Sequence, residues 1–145
     1  MRIVLRAATN MADTFQFEIV TPDRQVVKDV TEEMEIPGRD GYLGILPGHA
    51  PLITELGVGE ITYRNAGTTH RFAVAWGFAE VLPDRVTILA ETAERPTEID
   101  VARAQKAKSR AEQILKTPDP STDYPRTLDA LARAENRIGV AGKSS

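Results

Sequence analysis

Residues 87–104 read TILAETAERPTEIDVARA, and the sequence pattern of the chain changes within this stretch. Residues 87–90 are typical of a strand because they combine β-branched and apolar side chains. From Thr97 onward no strand pattern continues, and alanines recur at helical spacing. Thr97, three residues before Asp100, resembles a helix-capping arrangement. The change predicts a β domain over residues 13–94 and a helical domain over residues 95–145, with a loose N-terminal extension over residues 1–12.

The chain before this stretch has the pattern of several short strands. Residues 15–19, FQFEI, alternate apolar and polar side chains with the period of a half-buried strand. Residues 65–67, NAG, form a hairpin signal between two further apolar segments, and Pro83-Asp84 marks another turn. Residues 37–51 are too rich in glycine and proline for a helix or a central strand. This spacing of strands and turns predicts a β-sandwich or a barrel.

The chain after this stretch predicts two helices. The first has alanines and Leu115 on one face and ends before the proline-containing residues 118–121. The second is capped by Asp123, has Pro125 in its first turn and is expected to end at Gly139. A short connection makes the two helices antiparallel neighbours. The predicted fold class is therefore mainly β plus α, an N-terminal β-sandwich followed by a C-terminal antiparallel two-helix hairpin.

The composition is that of a globular protein with an uneven charge distribution. The 145 residues are 41% hydrophobic and 27% charged. Residues 1–98 hold 9 Lys/Arg against 15 Asp/Glu, net −6, whereas residues 99–145 hold 9 against 6, net +3. The basic helical part either meets an acidic partner or carries ordinary solvated charges. Its alanine-rich first helix buries little apolar area, which favours a mobile element, although a tight alanine-based helix contact has the same pattern.

Several functional classes find no support in the sequence. The chain has no cysteine, so disulfides, thiolate metal sites and cysteine nucleophiles are excluded. Its two histidines, His49 and His70, belong to no HExxH, GxSxG or GxxxxGK[ST] motif. No apolar run approaches the roughly 20 residues that span a bilayer. No stripe of basic and aromatic residues indicates a nucleic-acid partner. We expect no catalytic residue, no metal site and no enzymatic activity.

Two stretches stand out, residues 41–52 (GYLGILPGHAPL) and residues 99–104 (IDVARA). Together with the F-x-x-x-I-V-x-P-x-R pattern over residues 15–24 and the strand GFAEV over residues 77–81, they resemble the epsilon subunit family of bacterial F-type ATP synthase. The resemblance runs over nearly the whole chain, and the order of the motifs makes it specific. It implies a central-stalk rotor subunit of a proton-translocating complex that contacts the gamma subunit, the c-ring and the alpha and beta subunits. It also implies a peripheral position on the cytoplasmic face of the bacterial inner (plasma) membrane.

The resemblance assigns roles to particular residues. The loop that would contact the c-ring and gamma contains Gly44, Pro47, Gly48 and His49. The helical hairpin would be the regulatory domain, which inhibits ATP hydrolysis when it extends toward the alpha and beta subunits. Its basic residues are candidate contacts to acidic beta-subunit segments; they are Arg103, Lys106, Lys108, Arg110, Arg126, Arg133 and Arg137.

No cofactor is required, but regulatory ATP is implied because some bacterial members bind ATP through an I/L-D-x-x-R-A motif. The residues that match this pattern here are Glu94, Asp100, Arg103, Arg110, Arg133 and Arg137. Arginines from two facing helices would bind a triphosphate by charge-assisted hydrogen bonds. Asp100 and Arg103 also fit a simple helix-capping pair, and the proline-rich linker departs from the family pattern.

Two alternatives belong to other functional classes. The first is a free-standing ATP-sensing module, which would use the same candidate ATP-binding residues. The second is a β-sandwich adaptor or carbohydrate binder. Trp76 is the only tryptophan, and no aromatic platform is evident among the remaining aromatic residues, so the sequence favours this alternative least.

Overall fold

The structure is a computed structural model that describes residues 13–143. Within them, seven strands precede two helices. The predicted order, strands followed by two helices, is confirmed. The predicted N-terminal extension over residues 1–12 lies outside the described residues. A 3₁₀ turn, Pro96–Glu98, separates the last strand from helix α1, Val101–Lys116, and helix α2, Tyr124–Ala141. The strands are β1 Phe15–Val20, β2 Gln25–Thr31, β3 Glu33–Gly38, β4 Gly41–Ile45, β5 Leu52–Asn65, β6 Thr68–Leu82 and β7 Arg85–Glu94.

The seven strands of the described chain form one hydrogen-bonded sheet in the order β2-β1-β7-β6-β5-β3-β4. The β1–β7 pair is parallel, and the other neighbouring pairs are antiparallel. One cluster of buried residues draws on all seven strands, and Phe17 and Phe72 are among its largest members. The sheet therefore encloses a single core. Part of the glycine-rich segment, β4, is a strand, and it lies at the edge of the sheet, where such a sequence is tolerated.

A shared bend lets the three longest strands enclose this core. In β6, Phe72 and Val74 face the core before the bend, and Ala79 and Val81 face it afterwards, so the inward positions change from even to odd numbers. The same change of parity occurs in β5 and in β7. Directly paired residues face the same side of a sheet. The change from even to odd inward-facing positions therefore occurs at paired residues in all three strands. The paired residues at this level are Val58 with Ala75 in β5 and β6, and Ala75 with Thr92 in β6 and β7.

Trp76 and Gly77 form the bend in β6. Both have positive φ, 54° and 123°. A Cβ on Gly77 would lie only 1.9 Å from the carbonyl oxygen of Leu89, so no other residue fits this backbone. The Trp76 side chain consequently points away from the core, toward α2, where its indole Nε1 donates to Asp129 Oδ1 at 2.7 Å.

The helical hairpin packs on the outer face of the sheet. Helix α2 contacts β5 and β6, and α1 packs on α2. Ala73, Ile99 and Val140 form the small apolar cluster between the sheet and the hairpin. Ala104 and Ala111 are the buried residues of α1, so the contact between the helices is built on alanine, one of the two arrangements that the sequence allowed.

Two predicted helix boundaries need correction, the start of the first helix at Thr97 or Glu98 and the end of the second at Gly139. Helix α1 begins at Val101 and not at Thr97, because the Asp100 carboxylate accepts the Arg103 N–H and so sets the cap. Pro96 starts a separate 3₁₀ turn before it. Helix α2 continues past Gly139 to Ala141, because Val140 is buried against the sheet and tertiary packing outweighs the weak helix propensity of glycine.

We expect Gly77→Ala to lower the free energy of unfolding by about 3 kcal/mol, because the added Cβ would meet backbone atoms of β7. Urea unfolding followed by Trp76 fluorescence measures this effect. Gly44→Ala is the matched control: a Cβ there meets nothing within 4 Å, so its effect should stay within about 0.5 kcal/mol. Equal effects of the two substitutions would contradict a constrained bend.

Candidate functional site

A cavity of about 510 Å³ lies where the hairpin meets the bent sheet. It brings together four of the six residues that the sequence proposed for ATP binding. Glu94 comes from the end of β7, Arg103 from the first turn of α1, and Arg133 and Arg137 from one face of α2. The bend supplies the opposite wall, because it turns two successive residues of β7, Glu91 and Thr92, outward into the cavity.

Ion pairs hold the two α2 arginines in this cavity. Arg137 donates from Nε and one terminal nitrogen to the two carboxylate oxygens of Glu94, at 2.8 and 2.9 Å. Arg133 donates to Asp129 at 2.8 Å and to Glu91 at 3.3 Å. The Arg137–Glu94 pair is largely shielded from water and has the bidentate geometry that makes such hydrogen bonds strong. The same side chains that would bind a ligand therefore fasten α2 to β7.

Asp100 and Arg110 lie differently from the other proposed ligands. The Asp100 carboxylate caps α1 by accepting the Arg103 N–H at 3.1 Å, which supports the capping interpretation. Arg110 lines an adjoining groove of about 560 Å³ between the two helices. The groove and the cavity adjoin at three residues that line both; they are Arg103, Ala107 and Ala130.

Sequence reasoning missed several polar residues around the cavity. Asp129 lies four residues before Arg133, and this spacing on a helix could have indicated the pair. Asn136 donates to the carbonyl oxygens of Gly59 at 2.8 Å and Val74 at 3.5 Å, which fixes α2 against the bend. No sequence signal links Asn136 or Trp76 to its partner, because 53 to 77 residues separate them.

Glu60 fastens the end of α2 to the sheet. Its carboxylate accepts from Lys143 at 2.7 Å and also pairs with Arg71. Burial alone would raise the pKa of Glu60, but the hydrogen bonds and charges of Lys143 and Arg71 outweigh it, so the pKa lies below the usual 4.5. A depressed pKa means that these contacts stabilise the folded chain at neutral pH and lose their effect as the pH falls through the folded-state pKa.

The proposed contact loop lies at the other end of the β6–β7 pair. Gly44 is in β4, and Pro47, Gly48 and His49 form the turn that follows. Gly48, with φ of 83°, donates its N–H to the Pro83 carbonyl oxygen at 2.8 Å, and His49 Nδ1 lies 2.7 Å from the carbonyl oxygen of its neighbour. From Arg85 to Glu91, the first residue of β7 that lines the cavity, the strand rises by about 20 Å. The loop is thus fixed to the sheet, far from the helices.

The described residues contain neither a metal-binding cluster nor a membrane-spanning helix. Among residues 13–143, no group of three or more His, Asp or Glu side chains is placed to hold a metal ion. No helix within this range is long and apolar enough to cross a membrane.

Comparison with known families identifies the family to which this fold belongs. Residues 14–96 match the family model "ATP synthase, Delta/Epsilon chain, beta-sandwich domain", and residues 97–142 match "ATP synthase, Delta/Epsilon chain, long alpha-helix domain". The chain belongs to the ATP synthase delta/epsilon chain family. The predicted resemblance and the predicted β-sandwich with a helical hairpin are confirmed. Members of this family are non-catalytic subunits, which confirms that the chain is not itself an enzyme.

Bacterial relatives of the family cover most of the chain. An ATP synthase epsilon chain of Koribacter versatilis is 74% identical over 110 residues, which are 76% of this chain and 78% of the relative. The epsilon chain of Solibacter usitatus is 43% identical over 133 residues, 92% of this chain and 99% of the relative.

A solved structure of the Euglena gracilis mitochondrial ATP synthase (OSCP, F1 and c-ring) contains a chain of the same fold. The TM-score is 0.76 at 22% identity, over 86% of this chain and 79% of that one. This likeness supports the fold independently of the sequence comparison.

We expect Glu60→Gln to flatten the acid limb of the stability–pH profile below about pH 4.5, because the depressed pKa of Glu60 would no longer contribute. Unfolding free energies measured by urea titration between pH 3 and 7 would show this. The variant should lose stability at pH 7 and approach the unmodified chain at the acid end. Glu35→Gln, which removes an exposed carboxylate from β3, serves as the control. An acid limb as steep in Glu60→Gln as in the control would contradict the assignment.

Proposed function

We propose that the chain is the epsilon subunit in the central stalk of a bacterial F-type, proton-translocating ATP synthase. In this role the β-sandwich couples rotation of the c-ring to the gamma subunit, on the cytoplasmic face of the plasma membrane. The observation that carries the proposal is the match of both family models, in order, over residues 14–142. Proteins named ATP synthase epsilon chain among its relatives point the same way.

The geometry of the contact loop supports the coupling role. A loop that transmits torque must keep its shape under load, and the Gly48–Pro83 hydrogen bond joins this one to the β6–β7 turn. Leu46, beside the bond, is 59% exposed and therefore accessible to a partner. The loop and the hairpin occupy opposite ends of the sheet, so a ring contact at one end leaves the other free for regulation.

The way the hairpin is held supports an inhibitory role for it. Its apolar contact with the sheet is small, formed by Ala73, Ile99 and Val140. Hydrogen bonds and ion pairs supply further contacts, and water can replace these at modest net cost. A helix pair held in this way can leave the sheet without disrupting the core. We propose that the extended hairpin reaches the alpha and beta subunits and inhibits ATP hydrolysis.

Asn136→Ala should shift the hairpin toward its extended state, because it removes the hydrogen bonds to Gly59 and Val74. Loss of about 1 kcal/mol from the docked state changes the ratio of the two states roughly fivefold. ATP hydrolysis by the reconstituted complex should fall several-fold while ATP synthesis is retained. Gln105→Ala, on the exposed face of α1, is the control. If a complex that lacks this chain kept unchanged hydrolysis and full coupling, both the coupling role and the inhibitory role would be contradicted.

Regulatory ATP is the second part of the proposal. Arg103, Arg133 and Arg137 surround one cavity with Glu94, and Arg110 lies in the groove that adjoins it. A ligand that binds only the docked hairpin stabilises that state in proportion to its differential affinity. ATP would thereby hold the hairpin on the sheet and relieve the inhibition. A free-standing ATP sensor would use the same residues, and recovery of the chain with the gamma subunit distinguishes the two.

Arg103→Ala should weaken ATP binding at least tenfold, because Arg103 lies where cavity and groove adjoin and a charged phosphate contact contributes about 1.5–3 kcal/mol. Calorimetry on the full chain measures the affinity. Arg85→Ala, at the far end of β7, removes the same charge and should have no effect. The absence of any heat with the unmodified chain at millimolar ATP would refute regulatory ATP binding but leave the coupling role standing.

A further inference from the structure

Trp76 has a backbone conformation that bulky side chains avoid. Its φ of 54° lies in the left-handed region, which glycine adopts without strain. The close approach of β6 to β7 at the bend requires a glycine only at position 77. A glycine at position 76 would allow the same bend with less strain. A strained conformation of this kind persists where the rest of the structure enforces it, and it often marks a side chain with a function.

The core of the sheet does not account for a tryptophan at this position. Trp76 is half-buried, and the buried cluster of the described strands does not include it. What tryptophan supplies here, and phenylalanine or leucine would not, is an indole N–H donor on a long, rigid side chain. That donor reaches across to α2 and binds Asp129.

Four side chains form a clasp that joins α2 to two neighbouring strands; they are Trp76, Asp129, Arg133 and Glu91. The indole Nε1 donates to one carboxylate oxygen of Asp129 at 2.7 Å, and the other oxygen accepts from Arg133 Nε at 2.8 Å. Arg133 also donates to Glu91 at 3.3 Å. Because Trp76 and Glu91 lie opposite each other on β6 and β7, the clasp starts and ends on the sheet.

The clasp lies toward the free end of the hairpin, which is the linker over residues 117–123. Among the hydrogen bonds between α2 and the sheet in the described part of the chain, Trp76–Asp129 is the one nearest the start of α2. Val140, in the apolar cluster at the base of the hairpin, lies about 16 Å further along the helix. A hairpin that lifts about its base must therefore break the clasp.

We propose that Trp76 is a docking residue, kept in a strained backbone conformation because its indole N–H binds Asp129 and holds the free end of the hairpin on the sheet. The inference rests on the proposed movement of the hairpin and names a contact that sets its docked state. The sheet is less stable for carrying a tryptophan here, and the docked hairpin is more stable. Loss of the indole N–H frees the end of the hairpin without disturbing the core.

A cysteine beneath the hairpin measures how often the hairpin leaves the sheet. The chain has no cysteine, and Ala73→Cys places one in the small apolar cluster between sheet and hairpin. A thiol reagent reaches it only after undocking, so its labelling rate follows the undocked population. In this background Trp76→Phe should raise the rate about fivefold, because it keeps a ring but removes a hydrogen bond to a charged group. Glu135→Gln, at an exposed acid of α2, is the control and should change the rate less than about twofold.

A second cysteine separates undocking from unfolding. Val74→Cys places the thiol one residue further along β6, on the face toward the core, where only unfolding exposes it. Its labelling rate should stay the same in Trp76→Phe. Equal acceleration at both cysteine positions would mean that Trp76 stabilises the fold as a whole, and the docking role would be overturned.

Asp129 and Trp76 must act as one contact. Asp129→Ala should also accelerate labelling at position 73, and Trp76→Phe should add nothing in that background, whereas additive effects would overturn the contact. The NMR signal of the indole N–H gives a direct check, because Trp76 is the only tryptophan. Asp129→Ala should shift this signal and speed its exchange with water, and Glu135→Gln should not. An unchanged signal in Asp129→Ala would overturn the proposal.

The backbone strain has a test of its own. Trp76→Gly and Trp76→Ala both remove the indole, but only glycine relieves the left-handed conformation. Trp76→Gly should therefore unfold at a higher urea concentration than Trp76→Ala, as measured by circular dichroism, although glycine is usually the less stable of the two within a strand. An equal or lower midpoint for Trp76→Gly would overturn the strained conformation and the proposal with it.

The isolated chain and the reconstituted complex separate this inference from the proposed function. If Trp76→Phe accelerates labelling at position 73 but leaves ATP hydrolysis by the complex unchanged, the docking role is supported and the inhibitory role of the hairpin fails. If neither Trp76→Phe nor Asp129→Ala accelerates the labelling, the docking role is overturned whatever the complex does.

Discussion

The bend at Trp76 and Gly77 is the constraint on which the rest of the structure depends. It reverses which residues face the core, and β5 and β7 follow it at the same level because paired residues share a face. The core therefore remains continuous on one side of a single sheet. On the other side, the bend turns two successive residues outward in β6 and in β7. These residues form the wall against which α2 packs, and without them the cavity would lack one side.

The hairpin is held on this wall by small apolar side chains together with specific polar contacts. Trp76 donates to Asp129, the same carboxylate accepts from Arg133, and Arg137 forms a bidentate pair with Glu94. Large apolar side chains would hold the helices more firmly, but they would also make undocking as costly as partial unfolding. Alanine and ion pairs instead give a contact that is specific in register and modest in energy. This balance suits the proposed alternation of the hairpin between two positions.

The cations of the hairpin fall into a group paired with acids and a group without ion-pair partners in the described residues. Cations that face the sheet are matched by acids of β7 and α2, whereas those between the two helices are unmatched within the described residues. The net charge of residues 99–145 does not reveal this division, because it sums both kinds.

The sequence by itself determined the order of the elements, the change from strands to helices, and the family. Period-two alternation, turn dipeptides and the IDVARA motif are local signals that can be recognised in the sequence alone. Four of the six proposed ATP ligands also proved to share one cavity. Only the tertiary structure decided that Asp100 caps α1, that Val140 extends α2 past Gly139, and that Trp76 and Asn136 hold the hairpin. Those outcomes depend on residues tens of positions apart that meet only when the sheet bends, and no local pattern encodes such a meeting.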